Sequence, residues 1–227
     1  MRVVSFNIHH GTVGRRGPVD PEQLGAVCAG FDADVIALQE VDRGTWRAGG
    51  ADLAAVAAEA CGMDHVFGPS RYFPGGRYGN ALLVRGTIER SRVTQLPKVP
   101  AWRVWQERRT VLDAAVRIDG EELWVACTHL AVPEPVNEVQ LDFVLQRARS
   151  RSLRQVVVGD LNREAAQVGP QAAAVGLEMA DHGPTFPARK PRQTIDHVLH
   201  APELVVVSTA VERTPMSDHA ALIVDFA

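Results

Sequence analysis

The 227-residue sequence predicts a mixed α/β fold in which two β-sheets pack together beneath covering helices. Three observations carry that prediction. Short β-rich runs outnumber helical runs. The helical runs fall between some strands, not between all of them. The length suffices for one substantial core and is short for two, and 46% apolar residues is an ordinary globular composition. Periodicity by itself leaves the layering of these elements open.

The elements follow in order. Residues 2–8 (RVVSFNI) are β-rich. Asp20-Pro21-Glu22-Gln23 reads as a helix start, with an N-cap acid, proline at the first helical position and Gln23 placed for a capping box. That helix runs to about Gly30. DVIALQ (34–39) is a second strand and DLAAVAAEAC (52–61) a second helix. From about residue 64 to 129 the pattern turns to strands: HVFG, NALLVRG, TIERSRVTQL, RRTVLDAAVRI and ELWVACTHL. Gly-containing turns such as Asp119-Gly120 join several of them. EPVNEVQLDFVLQRAR (134–149) is an amphipathic helix with proline near its start. A strand at 155–159, a helix at 164–176 and strands near 194–199, 203–212 and 219–226 complete the chain. The Pro/Gly-rich pieces 68–79, 97–102 and 183–192 read as loops that interrupt strands without separating domains. One domain over residues 1–227 is therefore expected.

Composition bounds the function. Net charge is −3, from 24 basic and 27 acidic residues, whereas a protein gripping duplex nucleic acid through its phosphates usually carries a basic excess. Cys28, Cys61 and Cys127 are odd in number, widely spaced and free of any CxxC pair. That argues against a disulfide framework or a thiolate zinc site, and for three buried small side chains in a reducing compartment. MRVVSFNIHH has too short an apolar run for a signal peptide, and no stretch approaches the length of a transmembrane helix. A soluble cytoplasmic protein is the expectation, and no protein partner can be inferred.

The informative pattern is where polar residues fall. Six apolar segments each deliver polar groups at or near one end: Asn7, Gln39-Glu40, Thr128-His129, Asp160-Leu161-Asn162, Asp196-His197 and Ser217-Asp218-His219. If the strands lie side by side, these groups converge on one rim, which is how a rigid scaffold builds a site. Glu40, Asp160 and Asp218 are hard oxygen donors, and Asn7 and Asn162 are neutral ones. That set suits Mg²⁺ or Mn²⁺ better than zinc. His129 and His219 can then donate hydrogen bonds to phosphoryl oxygens, with Asp196 fixing the tautomer of His219. The combination describes metal-assisted attack of water on phosphorus.

The ordered set SFNI, LQEVD, YGNALL, THL, GDLN, IDH and SDH resembles the endonuclease/exonuclease/phosphatase superfamily, which has the deoxyribonuclease-I-like fold. The sequence is similar to a compact, bacterial-type member. Each motif is short, but together they run in the family's order from Asn7 to His219. The resemblance implies a four-layer α/β/β/α sandwich of two packed mixed sheets flanked by helices. It also implies roles. Glu40 is the principal metal carboxylate, with Asn7 and Asp218 in or near the metal shell. Asp160 orients or deprotonates the attacking water, and Asn162 positions Asp160 and the phosphate. His219 contacts the scissile phosphate, oriented by Asp196; the resemblance leaves open whether His219 or Asp160 is the base. His129 contacts phosphate. The abasic-site endonucleases carry tyrosine there, so histidine points to other branches. Asn80 supports the site from behind.

Each feature also has a plainer reading. Asn7 alone would close a turn, Glu40 would be a solvated loop acid, as Asp42 is expected to be, and Asn162 would cap the helix that follows it. The joint arrangement outweighs these. His9 and His10 read as exposed loop histidines near the rim. His65, His182, His197 and His200 have no evident partner. RARSR (147–151) reads as a solvated helix end suited to the macrodipole. Trp102-Arg103-Val104-Trp105 reads equally as a substrate-stacking or membrane-touching loop and as edge packing. Glu107-Arg108-Arg109 opens a strand whose arginines could clamp a phosphate. Arg189, Lys190 and Arg192 make the HGPTFPARKPRQT loop locally basic.

The leading expectation is a Mg²⁺-dependent phosphodiesterase, with Mn²⁺ as the other ion. Its substrate would be a small or lipid-like phosphoester or single-stranded nucleic acid. A DNA-repair or RNA-processing nuclease is the alternative within enzymes. A non-catalytic phosphate- or metal-binding module on the same fold is the alternative outside them; it should lack at least one of these residues, and none is missing.

Overall fold

The computed structural model describes residues 1–100 and 106–227; Trp102-Arg103-Val104-Trp105 lies outside the described residues. In chain order the elements are β1 (Arg2–Asn7), α1 (Pro21–Gly30), β2 (Val35–Arg43), α2 (Leu53–Cys61), β3 (Asp64–Phe73) and β4 (Gly76–Val84). Then come β5 (Thr87–Gln95), β6 (Thr110–Ile118), β7 (Glu121–His129), α3 (Glu134–Arg149) and β8 (Arg154–Asp160). The last are α4 (Ala165–Ala174), β9 (Glu178–Met179), β10 (Asp196–His200), β11 (Val206–Glu212) and β12 (Ala221–Phe226). Two six-stranded mixed sheets form, ordered β11-β12-β1-β2-β4-β3 and β5-β6-β7-β8-β10-β9.

Strand alternation builds the four layers. Val3, Val35, Ala37, Leu82, Val125, Cys127, Val156 and Val158 meet between the sheets. Their chain neighbours point the other way. Val4, Phe6, Ile36 and Leu38 pack under α1 and α2 with Leu24, Cys28, Leu53 and Ala57. Trp124, Ala126 and Val157 pack under α3 and α4 with Leu141, Val144, Leu145 and Val168. Central strands buried on both faces explain why VVSF, VIAL and VVV read as continuous apolar runs. The α/β/β/α sandwich expected from the resemblance is the architecture observed.

The same packing aligns the site. β1 and β2 are parallel with Asn7 opposite Gln39, and β7 and β8 are parallel with His129 opposite Asp160. β10 runs antiparallel to β8, so its first residue, Asp196, also pairs with Asp160. Gly159 makes that closeness feasible: a Cβ there would sit 1.9 Å from the Thr128 carbonyl oxygen, at φ +149°.

Several local expectations need correction. Residues 68–79 are mostly the β3–β4 hairpin; the edge position of β3 and a register shift after Pro69 accommodate the proline. β2 runs past Glu40 through a bulge to Arg43. Asp42 is fully buried, not solvated, because Arg47 and Thr45 bind its carboxylate. Asn162 does not cap α4; Glu164 stands at that position. Cys61 is only partly buried. Arg147 and Arg151 are held by the buried carboxylate of Asp113 instead of being solvated, and Arg151 lies over Trp124. Two residues of β9 form a strand too short to read from sequence. Among the described residues no helix is long and apolar enough to cross a membrane.

Candidate active site

Every residue expected at the rim sits at one end of the paired sheets. Asn7 is the centre of the network. Its amide nitrogen donates to Glu40 Oε1 (3.2 Å) and to Asp160 Oδ2 (3.0 Å), and its oxygen accepts from the His9 backbone N–H (3.1 Å). One buried carboxamide thus holds two carboxylates from different sheets. Asp160 Oδ1 accepts from the Asn162 backbone N–H (3.0 Å), while the Asn162 side chain donates to the Leu130 carbonyl (3.0 Å). Asn162 therefore fixes Asp160 through its backbone and ties the GDLN turn to the THL turn.

Asp196 is fully buried and accepts from Thr185 Oγ1; His219 Nδ1 lies 2.9 Å from Asp196 Oδ2. The opposite nitrogen, His219 Nε2, lies 3.8 Å from Asp160 Oδ2. The Phe186 ring packs on the imidazole, with centroids 4.6 Å apart. Ser217 Oγ donates to the Asn7 carbonyl (2.6 Å) and accepts from the His219 N–H (3.1 Å), joining the SDH turn to β1. His129 Nε2 is 3.5 Å from Asp160 Oδ2, and its Nδ1 is buried without a hydrogen-bond partner. Asn80 donates to the Thr110 carbonyl behind the site.

The electrostatics separate these groups. Burial and the neighbouring charge of Asp196 push the Asp160 carboxyl up to about 7, against the opposing pull of His219 and two hydrogen bonds. Burial disfavours charge on His219, but Asp196 outweighs it by charge and hydrogen bond, with help from Asp160 and Asp218. The imidazole is raised to about 10 and is a cation at neutral pH. Asp196 is correspondingly held below the usual carboxylate range: burial works against its charge, and His219 and Thr185 overcome that. His129 goes the other way. Burial, then the charges of Arg109 and His219, hold it well below its ordinary value, so it is neutral.

His9 and His10 are the residues that sequence reasoning misplaced. Both are half-buried beside the acids: His9 Nδ1 is 3.5 Å from Asp218 Oδ1 and 3.8 Å from Glu40 Oε2, and His10 Nε2 is 3.3 Å from Glu40 Oε2. Donor atoms of His9, His10 and Glu40 lie close enough together to share one ion. A convergent set of carboxylates and imidazoles fits a divalent cation, with Glu40, His9, His10 and Asp218 as the residues that would hold it. Arg109 is buried, paired to Glu107 (3.0 Å), and lines a 230 Å³ cavity behind Glu40 with His10, Arg47 and Tyr78.

A backbone signature marks the same residues. His9 (φ 43°), His10 (62°), Glu40 (59°), Asn162 (50°) and Ser217 (65°) all hold left-handed conformations. Such conformations cost about 1–3 kcal/mol each for ordinary residues and concentrate at functional sites. No sequence pattern announces them.

Solved structures share this fold. The endonuclease/exonuclease/phosphatase of Beutenbergia cavernae superposes with a TM-score of 0.78 at 25% identity, over 99% of this chain and 70% of that one. The human Nocturnin catalytic domain with bound sulfate anion gives 0.77 at 20% identity, over 100% and 94%. A mannosyl-6-phosphatase of Bacteroides thetaiotaomicron gives 0.73 at 17% identity, over 100% and 99%. No curated protein matches the chain significantly. The family model for the Endonuclease/Exonuclease/phosphatase family matches residues 4–219, spanning every motif from Asn7 to His219, and the chain belongs to that family.

Proposed function

We propose that the protein is a divalent-metal-dependent phosphodiesterase that cleaves a P–O bond by in-line attack of water. The observation that carries this reading is the Asn7 bridge. It places the cluster of Glu40, Asp218, His9 and His10 beside the Asp160–His219–Asp196 triad, so that a phosphate bound between them would touch both. A cation held by Glu40 and its neighbours would act as a Lewis acid on the phosphoryl oxygens. Two imidazoles in that set make Mn²⁺ a better fit than Mg²⁺.

The protein side chains then divide the work. Asp160 serves as the base: its carboxyl is poised near neutrality, and two N–H donors fix its orientation. His219, charged and braced by Asp196, donates to a phosphoryl oxygen and stabilises developing negative charge. Neutral His129 contributes a further hydrogen bond. The bound sulfate in the Nocturnin domain and the phosphatase among the structural neighbours support a site built for a tetrahedral anion. The test is hydrolysis of bis-p-nitrophenyl phosphate with Mn²⁺, Mg²⁺ or EDTA. Turnover with metal, none with EDTA, and a fall of about 10³-fold in Asp160→Ala are expected, within the usual range for losing a positioned base. Metal-independent turnover, or an unimpaired Asp160→Ala enzyme, would overturn it.

A further inference from the structure

We infer that the substrate carries at least one phosphate besides the scissile one, and that a basic groove beside Asp218 receives it. This rests on the phosphodiesterase reading for the position of the scissile group. The groove has a volume of about 910 Å³, near the upper end of small-ligand sites. Arg15, Arg16, Arg189, Lys190 and Arg213 line it, and the sole acid in its wall is Asp218. These cations come from three separate segments: the loop after the His9-His10 turn, the loop before β10, and the end of β11. All five are exposed. Arg15 makes one long ion pair, 3.8 Å from Asp218 and itself largely in water. Among the described residues, the other four have no acidic partner.

In this groove five cations from separate segments face one acid. The chain is net acidic, and several of its other arginines are paired, as in Arg85–Asp32, Arg117–Glu89 and Arg154–Glu121. Five like charges around one groove repel one another, and Asp218 offsets only part of that. An anion would offset the rest. The groove also opens onto the reaction centre. Asp218, in its wall, is 3.5 Å from His9; the Ala188 N–H in the same wall donates to the Asp218 carbonyl (2.7 Å); and Phe186, two residues earlier, packs at a tilt against His219. A phosphate in the groove is therefore the neighbour of a phosphate at His219. The ligand chemistry is a further phosphate linked to the scissile one, whether in a small bisphosphorylated molecule or along a single strand.

The experiment compares two matched substrates, thymidine 5′-(p-nitrophenyl phosphate) and the same ester bearing a 3′-phosphate. The enzyme should favour the 3′-phosphorylated ester in kcat/KM. The preference should fall by about tenfold in Arg189→Ala/Lys190→Ala and in Arg213→Ala, because cations facing a phosphate are lost. It should persist in Arg90→Ala/Arg92→Ala, which removes two charges from β5 outside the groove. Equal use of both esters by the wild type, or a preference that survives the groove variants, overturns the inference. Calorimetric binding of thymidine 3′,5′-bisphosphate against thymidine 5′-phosphate separates this from the parent reading. Tighter, groove-dependent binding without turnover keeps the groove and sinks the phosphodiesterase; turnover without groove dependence does the reverse. A decathymidylate distinguishes the sources. A steeper salt dependence than the bisphosphate's marks a strand, equal slopes mark a small molecule, and either supports the second phosphate.

Discussion

His197 shows how a single residue beside the site can serve the fold without serving the chemistry. It follows Asp196, but alternation along β10 turns it away from His219. Its Nε2–H donates to the Arg163 carbonyl (2.7 Å), its Nδ1 has no partner, and it is fully buried. Burial holds it down at about 4, so it stays neutral where an unfolded histidine is already charged. The sign follows from proton counting. Between pH 6.5 and about 4 the unfolded chain binds a proton that the folded chain does not, so this residue lowers stability as pH falls through that window. A shift of that size corresponds to up to about 3 kcal/mol at the acid end. Urea unfolding of His197→Gln against wild type should show a shallower stability loss from pH 7 to 4.5; parallel curves would remove His197 as the cause. Its role was not legible from IDH in the sequence, because the motif gives two titratable neighbours and nothing says which faces the site. Asp196 was legible because its partner lies in another recognisable motif. His9 and His10 were not, because their placement beside Glu40 depends on two consecutive left-handed residues.

At the level of elements, apolar runs and caps were readable. Asp20 and Asp52 both accept from the N–H three residues on, as a helix start requires, and α3 spans the residues its amphipathic pattern marks. What periodicity concealed is that α3 buries two amides. Asn137 is fully buried and donates to the carbonyls of Ala131 and Leu161, both at 2.7 Å; Gln140 Oε1 accepts from the Ala131 N–H. Ala131 follows THL and Leu161 lies within GDLN, so α3 clamps the chain just after His129 and Asp160, where β7 and β8 end. Polarity alone cannot tell a solvated amide from one with two backbone partners, so the sequence does not reveal that Asn137 is buried. Asn137→Leu keeps the branched shape and the number of heavy atoms and leaves both carbonyls unpaired, at about 1–3 kcal/mol each. We expect the variant to melt several degrees lower and to lose kcat on bis-p-nitrophenyl phosphate with little change in KM. Unchanged kcat in a folded variant would confine Asn137 to stability.

Across the whole molecule, net charge was the least informative number in the sequence. A value of −3 conceals Glu40, Asp160, Asp196 and Asp218 gathered at one end of the sheets and a basic groove with one long ion pair alongside. The sandwich imposes that gathering, because the carboxyl ends of two parallel strand pairs and the start of β10 coincide. Carboxylates held this way repel one another, and the charged His219 and the two N–H donors of Asn7 offset only part of it. A cation that binds the folded chain and not the unfolded one should therefore stabilise the whole protein. At a hundredfold excess over its dissociation constant the gain is about 2.7 kcal/mol, or roughly 5–10 °C in Tm for a chain of this size. Mn²⁺ should give the larger rise and Mg²⁺ the smaller, since His9 and His10 complete the set around Glu40. Glu40→Gln removes the carboxylate common to these contacts. Its Tm in EDTA should match or exceed that of the wild type, because repulsion is relieved, and its response to Mn²⁺ should nearly vanish. The decisive comparison is thermal unfolding of both proteins in EDTA, in Mn²⁺ and in NaCl of equal ionic strength. An equal Mn²⁺ shift in both, or a wild-type shift that NaCl reproduces, would place the cation elsewhere and reduce the acidic cluster to a screened patch of surface charge.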